Sequence, residues 1–188
     1  MCDAPVATRV RTPDGELAFQ DYFVRRHHRD DVLGIRFAGI EEAQPSDMAR
    51  AAATQAEVIV LCPSNPIVSI GPILAVPGMC ELIQAARAPR VAVSPIIAGQ
   101  ALRGPADRML AGLGDEVSAF GVARLYAGLL DGIIIDQADE ALAGRISDET
   151  HLRVHVTDTI MREGADRQRL AQETLRFARQ LANSEEPR

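Results

Sequence analysis

Glu57-Val-Ile-Val-Leu61, followed at once by Cys62-Pro-Ser-Asn-Pro-Ile-Val-Ser-Ile-Gly-Pro72, is the stretch that decides the fold. A short, continuous, β-branched run reads as a strand buried on both faces, as in a parallel sheet. Three more runs of this kind follow: Arg90-Val-Ala-Val93, Asp131-Gly-Ile-Ile-Ile-Asp136 and Leu152-Arg-Val-His-Val156. Helical patterns over 78–87, 104–113, 117–130, 137–146 and 165–183 lie between and after them. Strand, helix, strand in succession is the βαβ pattern, so the expected fold is α/β, with a mainly parallel Rossmann-like sheet and flanking helices.

The last helical pattern places Leu170, Thr174, Phe177, Ala178 and Leu181 on one face, which predicts an amphipathic cover for the sheet. The first forty residues read differently. Val6 to Arg11 and Glu16 to Phe19 flank a Pro13-Asp14-Gly15 turn, and a third strand is expected over Val32 to Gly39, which makes an N-terminal antiparallel segment. The expected organisation is therefore an antiparallel segment over 1–44, a Rossmann-like region over 45–183 and a disordered tail over 184–188. The alanine-rich face around Ala49 to Ala53 has two readings, a homodimer contact or packing on the sheet.

Composition narrows the chemistry. The 188 residues carry 20 basic side chains, all arginine, against 26 acidic ones, a net charge of −6. With no lysine, Schiff-base chemistry and a phosphate-loop lysine are excluded. The negative charge leaves no general attraction to nucleic acid or anionic lipid. Cys2, Cys62 and Cys80 form no CxxC pair and are odd in number, which argues against a disulfide framework and for a reducing, cytoplasmic setting. The longest uncharged stretch, Val58 to Cys80, is broken by prolines and glycines, and the N-terminus shows no leader pattern, so a soluble, unprocessed protein is expected.

In open α/β sheets, ligands bind beyond the carboxyl ends of the strands. The loop from Cys62 to Pro72 is longer than the usual connection of about 2–6 residues. Its three prolines fix the backbone, while Ser64, Asn65, Ser69 and Gly71 can turn hydroxyls and amides towards an anion, with Pro66 between them. The second loop repeats this on a smaller scale with Ser94, Pro95, Gly99 and Gly104, and Arg103 is placed to pair a phosphate oxygen. An ordinary turn before a helix explains that loop equally well. Asp136 and Asp158 end strands, where a carboxylate suits Mg²⁺ or a ribose diol; for Asp158 a helix-capping role is also open.

His151 and His155 fall on an expected strand, about 13 Å apart on one face and too distant for one zinc ion. His27 and His28 sit in Arg25-Arg-His-His-Arg-Asp-Asp31, most simply a solvated charged loop. With no GxSxG elbow, no GxGxxG and no cysteine beside a base, covalent catalysis is not signalled and no catalytic residue is assigned.

The run Pro63-Ser-Asn-Pro-Ile-Val-Ser-Ile-Gly-Pro-Ile-Leu-Ala-Val-Pro-Gly-Met79 resembles the signature of the 2-phospho-L-lactate transferase family of coenzyme F(420) biosynthesis. Val91-Ala-Val-Ser-Pro-Ile-Ile97, Gly104-Pro-Ala-Asp107, Glu116-Val-Ser118, Gly121-Val-Ala123 and Asp158-Thr-Ile-Met161 follow in the family's order, and Phe19-Gln-Asp-Tyr-Phe23 looks like the middle of such a protein. The resemblance implies transfer of a phospholactyl or enolpyruvyl phosphate group from a guanosine-diphosphate-linked donor to the deazaflavin alcohol Fo, with GMP leaving and Mg²⁺ assisting. It places Ser64 to Gly71 and Ser94 to Ile97 at the nucleotide and phosphate site. Family members are longer and begin with a glycine-rich loop and acidic residues absent here. The expected metal ligands therefore lie in the missing N-terminal half, and the 188 residues alone are expected to have little or no activity. The gluconeogenesis-factor proteins, which share the fold and bind nucleotide sugars, lack the Ser-Asn-Pro sequence. A protein of that kind stays as one alternative, placed behind the transferase, and a non-catalytic remnant or a binding subunit that works only with a separately encoded N-terminal half is the other.

Overall fold

In the computed structural model, which describes residues 1–184, the four aliphatic runs form one parallel sheet. Its strands are β4 (Ile59–Leu61), β5 (Arg90–Val93), β8 (Gly132–Asp136) and β9 (Arg153–Thr157), in that spatial order. Successive side chains of a strand face opposite sides, and the core divides accordingly. Val91, Val93 and Ile134 pack with Leu170, Phe177, Ala178 and Leu181 of helix α7 (Gly164–Ser184). Leu61, Ala92, Ile133 and Ile135 join the larger core on the other side, with Phe120, Val122 and Ile146.

All five residues of β8 are buried, as a central strand covered on both faces requires. Burying each of its isoleucines contributes roughly 1.5–3 kcal/mol. Gly132 makes close packing possible here: a Cβ there would meet Phe177 Cε1 at 2.7 Å, so the bare backbone lets the ring approach the sheet directly. The amphipathic cover read from the sequence is thus α7, with Thr174 buried beside its apolar neighbours.

The N-terminal segment forms a separate antiparallel sheet of β1 (Ala7–Thr12), β2 (Gly15–Ala18) and β3 (Gly34–Ala38), ordered β2-β1-β3. It meets the rest of the chain through Val10, Tyr22 and Val32, which bury Met109 of α4 (Ala106–Gly112). Helices α3 (Met79–Gln84), α5 (Ala119–Leu125) and α6 (Ala143–Thr150) occupy parts of the expected helical stretches.

Several expectations are corrected. The strand expected from Glu57 begins at Ile59, and the helix expected over 117–130 ends at Leu125. The stretch over 137–146 divides into a 3₁₀ turn, Gln137–Leu142, and α6, because Asp136 caps the turn through the Ala138 amide. His151 is not on a strand: it ends α6 at φ 60°, so its pairing with His155 along a strand face does not arise. Other elements were not anticipated, among them a helix and a hairpin. Helix α1 (Asp47–Gln55) is capped by Ser46, whose Oγ accepts from the Ala49 amide. A hairpin joins β6 (Ile96–Ile97) to β7 (Gln100–Ala101) through Ala98 and Gly99, both at positive φ. The expected disordered tail lies outside the described residues except for Ser184, which closes α7.

Candidate functional site

The carboxyl ends of the parallel strands bring four segments to one edge of the sheet: Cys62–Asn65, Ser94–Ile97, Asp136–Asp139 and Thr157–Asp158. The first expected loop is largely helical. Asn65 Oδ1 accepts from the amides of Ile67 (2.8 Å) and Val68 (3.2 Å), which starts a π-helical turn over Pro66–Ile70 that runs into α2 (Gly71–Leu74). Pro66 is buried at its first position, where a missing N–H costs nothing. Asn65 Nδ2 donates to Met109 Sδ at 3.4 Å, anchoring the turn on α4.

Asn65 thus shapes the loop with the groups that a ligand would otherwise use. Gly71 serves packing rather than phosphate approach, since a Cβ there would meet Pro66 O at 3.0 Å and Phe37 Cζ at 3.4 Å. Ser64 is half-buried and Ser69 exposed, and neither side chain hydrogen-bonds within the described residues.

At the second strand end, Ser94 is buried and spends its hydroxyl on Ile96, accepting from the amide and donating to the carbonyl. It fixes a turn. Pro95 is half-buried after it. Arg103, beyond the hairpin, is exposed and forms no ion pair among the described residues, so it alone of the expected phosphate contacts offers a free charge.

The two strand-end aspartates are committed to the fold. Asp136, 3% exposed, accepts from Thr159 N (2.8 Å) and Thr159 Oγ1 (3.0 Å) on one oxygen and from Ala138 N (2.9 Å) on the other. This carboxylate ties the end of β8 to the loop after β9. Asp158 accepts from the Ile160 amide (3.0 Å) and from Arg162 (2.9 Å), with Arg169 3.8 Å away. The Arg162 hydrogen bond, the Ile160 amide and Arg169 hold its carboxyl below the usual range.

A carboxylate so engaged is a poor match for a hard cation, and no group of three or more His, Cys, Asp or Glu among the described residues could hold a metal ion. The residues present do not fit Mg²⁺. The expectation that Asp136 serves metal or ribose gives way to a structural role.

Sequence reasoning missed Asp139. It is buried, and its two oxygens accept from the Ala98 amide at 3.0 and 3.2 Å, pinning the positive-φ residue of the hairpin. Burial pushes its carboxyl up, the Ala98 N–H opposes this, and the neighbouring Asp136 adds to it. The contact spans 41 positions, so no local pattern signals it.

His155 stacks on Phe177 and lies 3.9 Å from Glu173, whose carboxylate also accepts from Thr157 Oγ1 at the end of β9. A cavity of about 540 Å³ opens at the opposite, amino end of the strands, lined by Arg87, Arg90, Asp131, His151 and Arg153 among others.

A parallel sheet with polar turns at its carboxyl edge and helices on both faces defines a Rossmann-like α/β chain. Comparison places it more narrowly. The family model described as "2-phospho-L-lactate transferase CofD" matches residues 1–175, and the chain belongs to that family.

Among curated relatives, a phosphoenolpyruvate transferase of Kitasatospora aureofaciens is 46% identical over 145 residues, covering 74% of this chain and 45% of that protein. A 2-phospho-L-lactate transferase of Methanosarcina acetivorans is 42% identical over 141 residues, 75% and 45% of the two chains. One from Methanocaldococcus jannaschii is 34% identical over 185 residues, 96% and 58%. The chain thus spans about half the length of these relatives. A crystal structure of a UPF0052 family protein from Bacillus halodurans shares the fold, with TM-score 0.61 and 15% identity over 88% of this chain and 57% of that one.

Proposed function

We propose that these 188 residues form the phosphate-facing part of a transferase that moves a phospholactyl or enolpyruvyl phosphate group onto the deazaflavin alcohol Fo in coenzyme F(420) biosynthesis. The Fo hydroxyl oxygen attacks phosphorus of the guanosine-diphosphate-linked donor, the bond from that phosphorus to GMP breaks, and the hydroxyl proton passes to solvent or a base. Such a transfer proceeds by positioning and electrostatic stabilisation, without a protein nucleophile.

The observation that carries the reading is the sharing of one sheet edge by the Asn65-capped turn and the Ser94-fixed turn, at the carboxyl ends of adjacent strands β4 and β5. In this account Asn65, Pro66, Gly71, Ser94 and Pro95 set the backbone. Ser64, Ser69 and Arg103 supply the free hydroxyls and charge. Both strand-end aspartates are spoken for, so the Mg²⁺ expected for the transfer takes its ligands from residues beyond these 188. The half of the relatives' length that the chain does not span, supplied as a separate chain or by a longer one, would close the crevice. Three free thiols agree with a cytoplasmic setting, and no helix among the described residues is long and apolar enough to cross a membrane.

Calorimetry with GMP and GDP tests the assignment. Arg103→Gln is expected to weaken binding about 10-fold or more, the scale of one charge-assisted hydrogen bond. Equal affinity in wild type and variant would remove Arg103 from the site.

A further inference from the structure

We propose that Phe19, Phe23 and His28 form a stacking platform for the planar heteroaromatic ring of a substrate, with the buried polar atoms of Tyr22, His28 and Asp30 beside it. The proposal deepens the reading above and rests on it only for the two rings that such an enzyme handles, a deazaflavin and a guanine.

Aromatic residues make up 4% of the chain, yet Phe19, Tyr22 and Phe23 fall within one short segment. Phe19 and Phe23 stack at 5.6 Å between centroids, and Phe23 and His28 at 5.4 Å, with planes inclined by 16° and 23°. The three rings form a near-parallel column. It is not sealed in the core: Phe23 is 37% exposed and Val24 57%. At these centroid separations the near-parallel rings are offset rather than eclipsed, and the exposed part of Phe23 stays open to a fourth flat ring.

The surroundings of the column are costly to the fold. Among the described residues, the buried side-chain polar atoms without a hydrogen-bond partner are Tyr22 Oη, His28 Nδ1 and Asp30 Oδ2, all within nine positions of one another. Native chains satisfy nearly all such groups, so a cluster of three in one segment calls for an explanation.

His27 and His28 also adopt φ of 52° and 45°, two consecutive non-glycine residues in the left-handed region. Backbone strain of this kind persists where function or the surrounding structure requires it. The segment is held by Arg26, which pairs with Asp14 and Asp30 in partly exposed ion pairs, a weak latch that a ligand can displace. Opening it would expose the buried, unpartnered His28 Nδ1 and Asp30 Oδ2 to the polar edge of a bound ring.

Placement supports the same use. Tyr22 is fully buried against Met109, the residue whose sulfur accepts from Asn65, and Arg108 Nη1 donates to His28 O at 3.1 Å. The segment that carries the column is thus tied to the Asn65 turn through Tyr22, Met109 and Arg108.

Two titrations of the 188-residue chain test the proposal. Fo is followed by its own fluorescence, which tryptophan does not obscure because the chain has none, and GMP is followed by calorimetry. The expected result is quenching of Fo on binding, an affinity loss of about 10-fold in Phe23→Leu and recovery in Phe23→Tyr, which keeps the stacking face. Circular dichroism of each variant confirms folding.

If GMP rather than Fo follows the Phe23 series, the platform stands and its ring is guanine. Fo binding that depends on Phe23, with no GMP binding at all, would sink the donor reading and leave the platform. GMP binding lost in Arg103→Gln while Phe23→Leu binds both ligands normally overturns the platform alone. Binding of neither ring by the wild-type chain also overturns it.

Discussion

Replacing Asp136 by Asn separates a structural carboxylate from a ligand-binding one. The wild-type side chain accepts three hydrogen bonds, two from Thr159 and one from Ala138, at 2.8–3.0 Å and with only 3% exposure. Asn keeps one acceptor oxygen and turns an NH₂ towards the other set of donors. If the oxygen stays on Thr159, the Ala138 N–H faces a donor; if it turns to Ala138, the Thr159 N–H loses its partner, while the Thr159 hydroxyl can turn to accept. One lost bond to a charged acceptor costs roughly 1.5–3 kcal/mol, and the unpaired buried amide adds to this, so about 2–4 kcal/mol of destabilisation is expected. Urea unfolding by far-ultraviolet circular dichroism measures it, as a lower midpoint with an unchanged slope. A change below about 1 kcal/mol, within the range of an ordinary surface substitution, would refute the tie between β8 and the loop after β9.

Phe177→Ala, which uncovers Gly132 and the α7 face of the sheet, should cost about 3–5 kcal/mol in the same assay. Asp139 and Glu116 should respond to pH with opposite signs. Burial raises the Asp139 carboxyl, so its contribution is present in acid and lost as pH rises through the folded value; Asp139→Asn should gain stability relative to wild type over that interval. The Ser118 hydroxyl and Arg145 hold Glu116 low, so its contribution is present above the ordinary carboxylate range and lost as pH falls; Glu116→Gln should flatten the acid limb of the stability profile. Cys62 is exposed, whereas burial raises the half-buried Cys80 thiol, so Ellman's reagent near pH 8 should label Cys62 first.

The parallel sheet was legible because Arg90–Val93 and Gly132–Asp136 are continuous aliphatic runs, a pattern that burial on both faces requires. Helix α7 was legible because its apolar positions recur at the helical period. The candidate site was only partly so. Ser64 to Gly71 stood out by proline spacing, yet proline and serine read as a loop, and the turn at Pro66–Ile70 depends on the Asn65 cap and on Met109, 44 positions away. Asp136 looked like a ligand because acids at strand ends often are, whereas Thr159 claims it across 23 positions. Asp139 and the orphaned groups of Tyr22, His28 and Asp30 are products of tertiary contact, for which local periodicity carries no signal. The left-handed turn at His27 and His28 was likewise not legible, since histidine tolerates that region better than most residues but does not demand it.

In the proposed function these residues form one part of a family transferase whose site closes only with further residues. Turnover of Fo with a guanosine-diphosphate-linked phospholactate or enolpyruvyl phosphate donor and Mg²⁺ tests it most directly, by chromatography of GMP and phosphorylated product. The purified 188-residue chain should release neither above background, and adding a segment that supplies the rest of the relatives' length should restore both in equal amounts. Robust product from the 188 residues alone, or none from the reconstituted pair, would contradict the account.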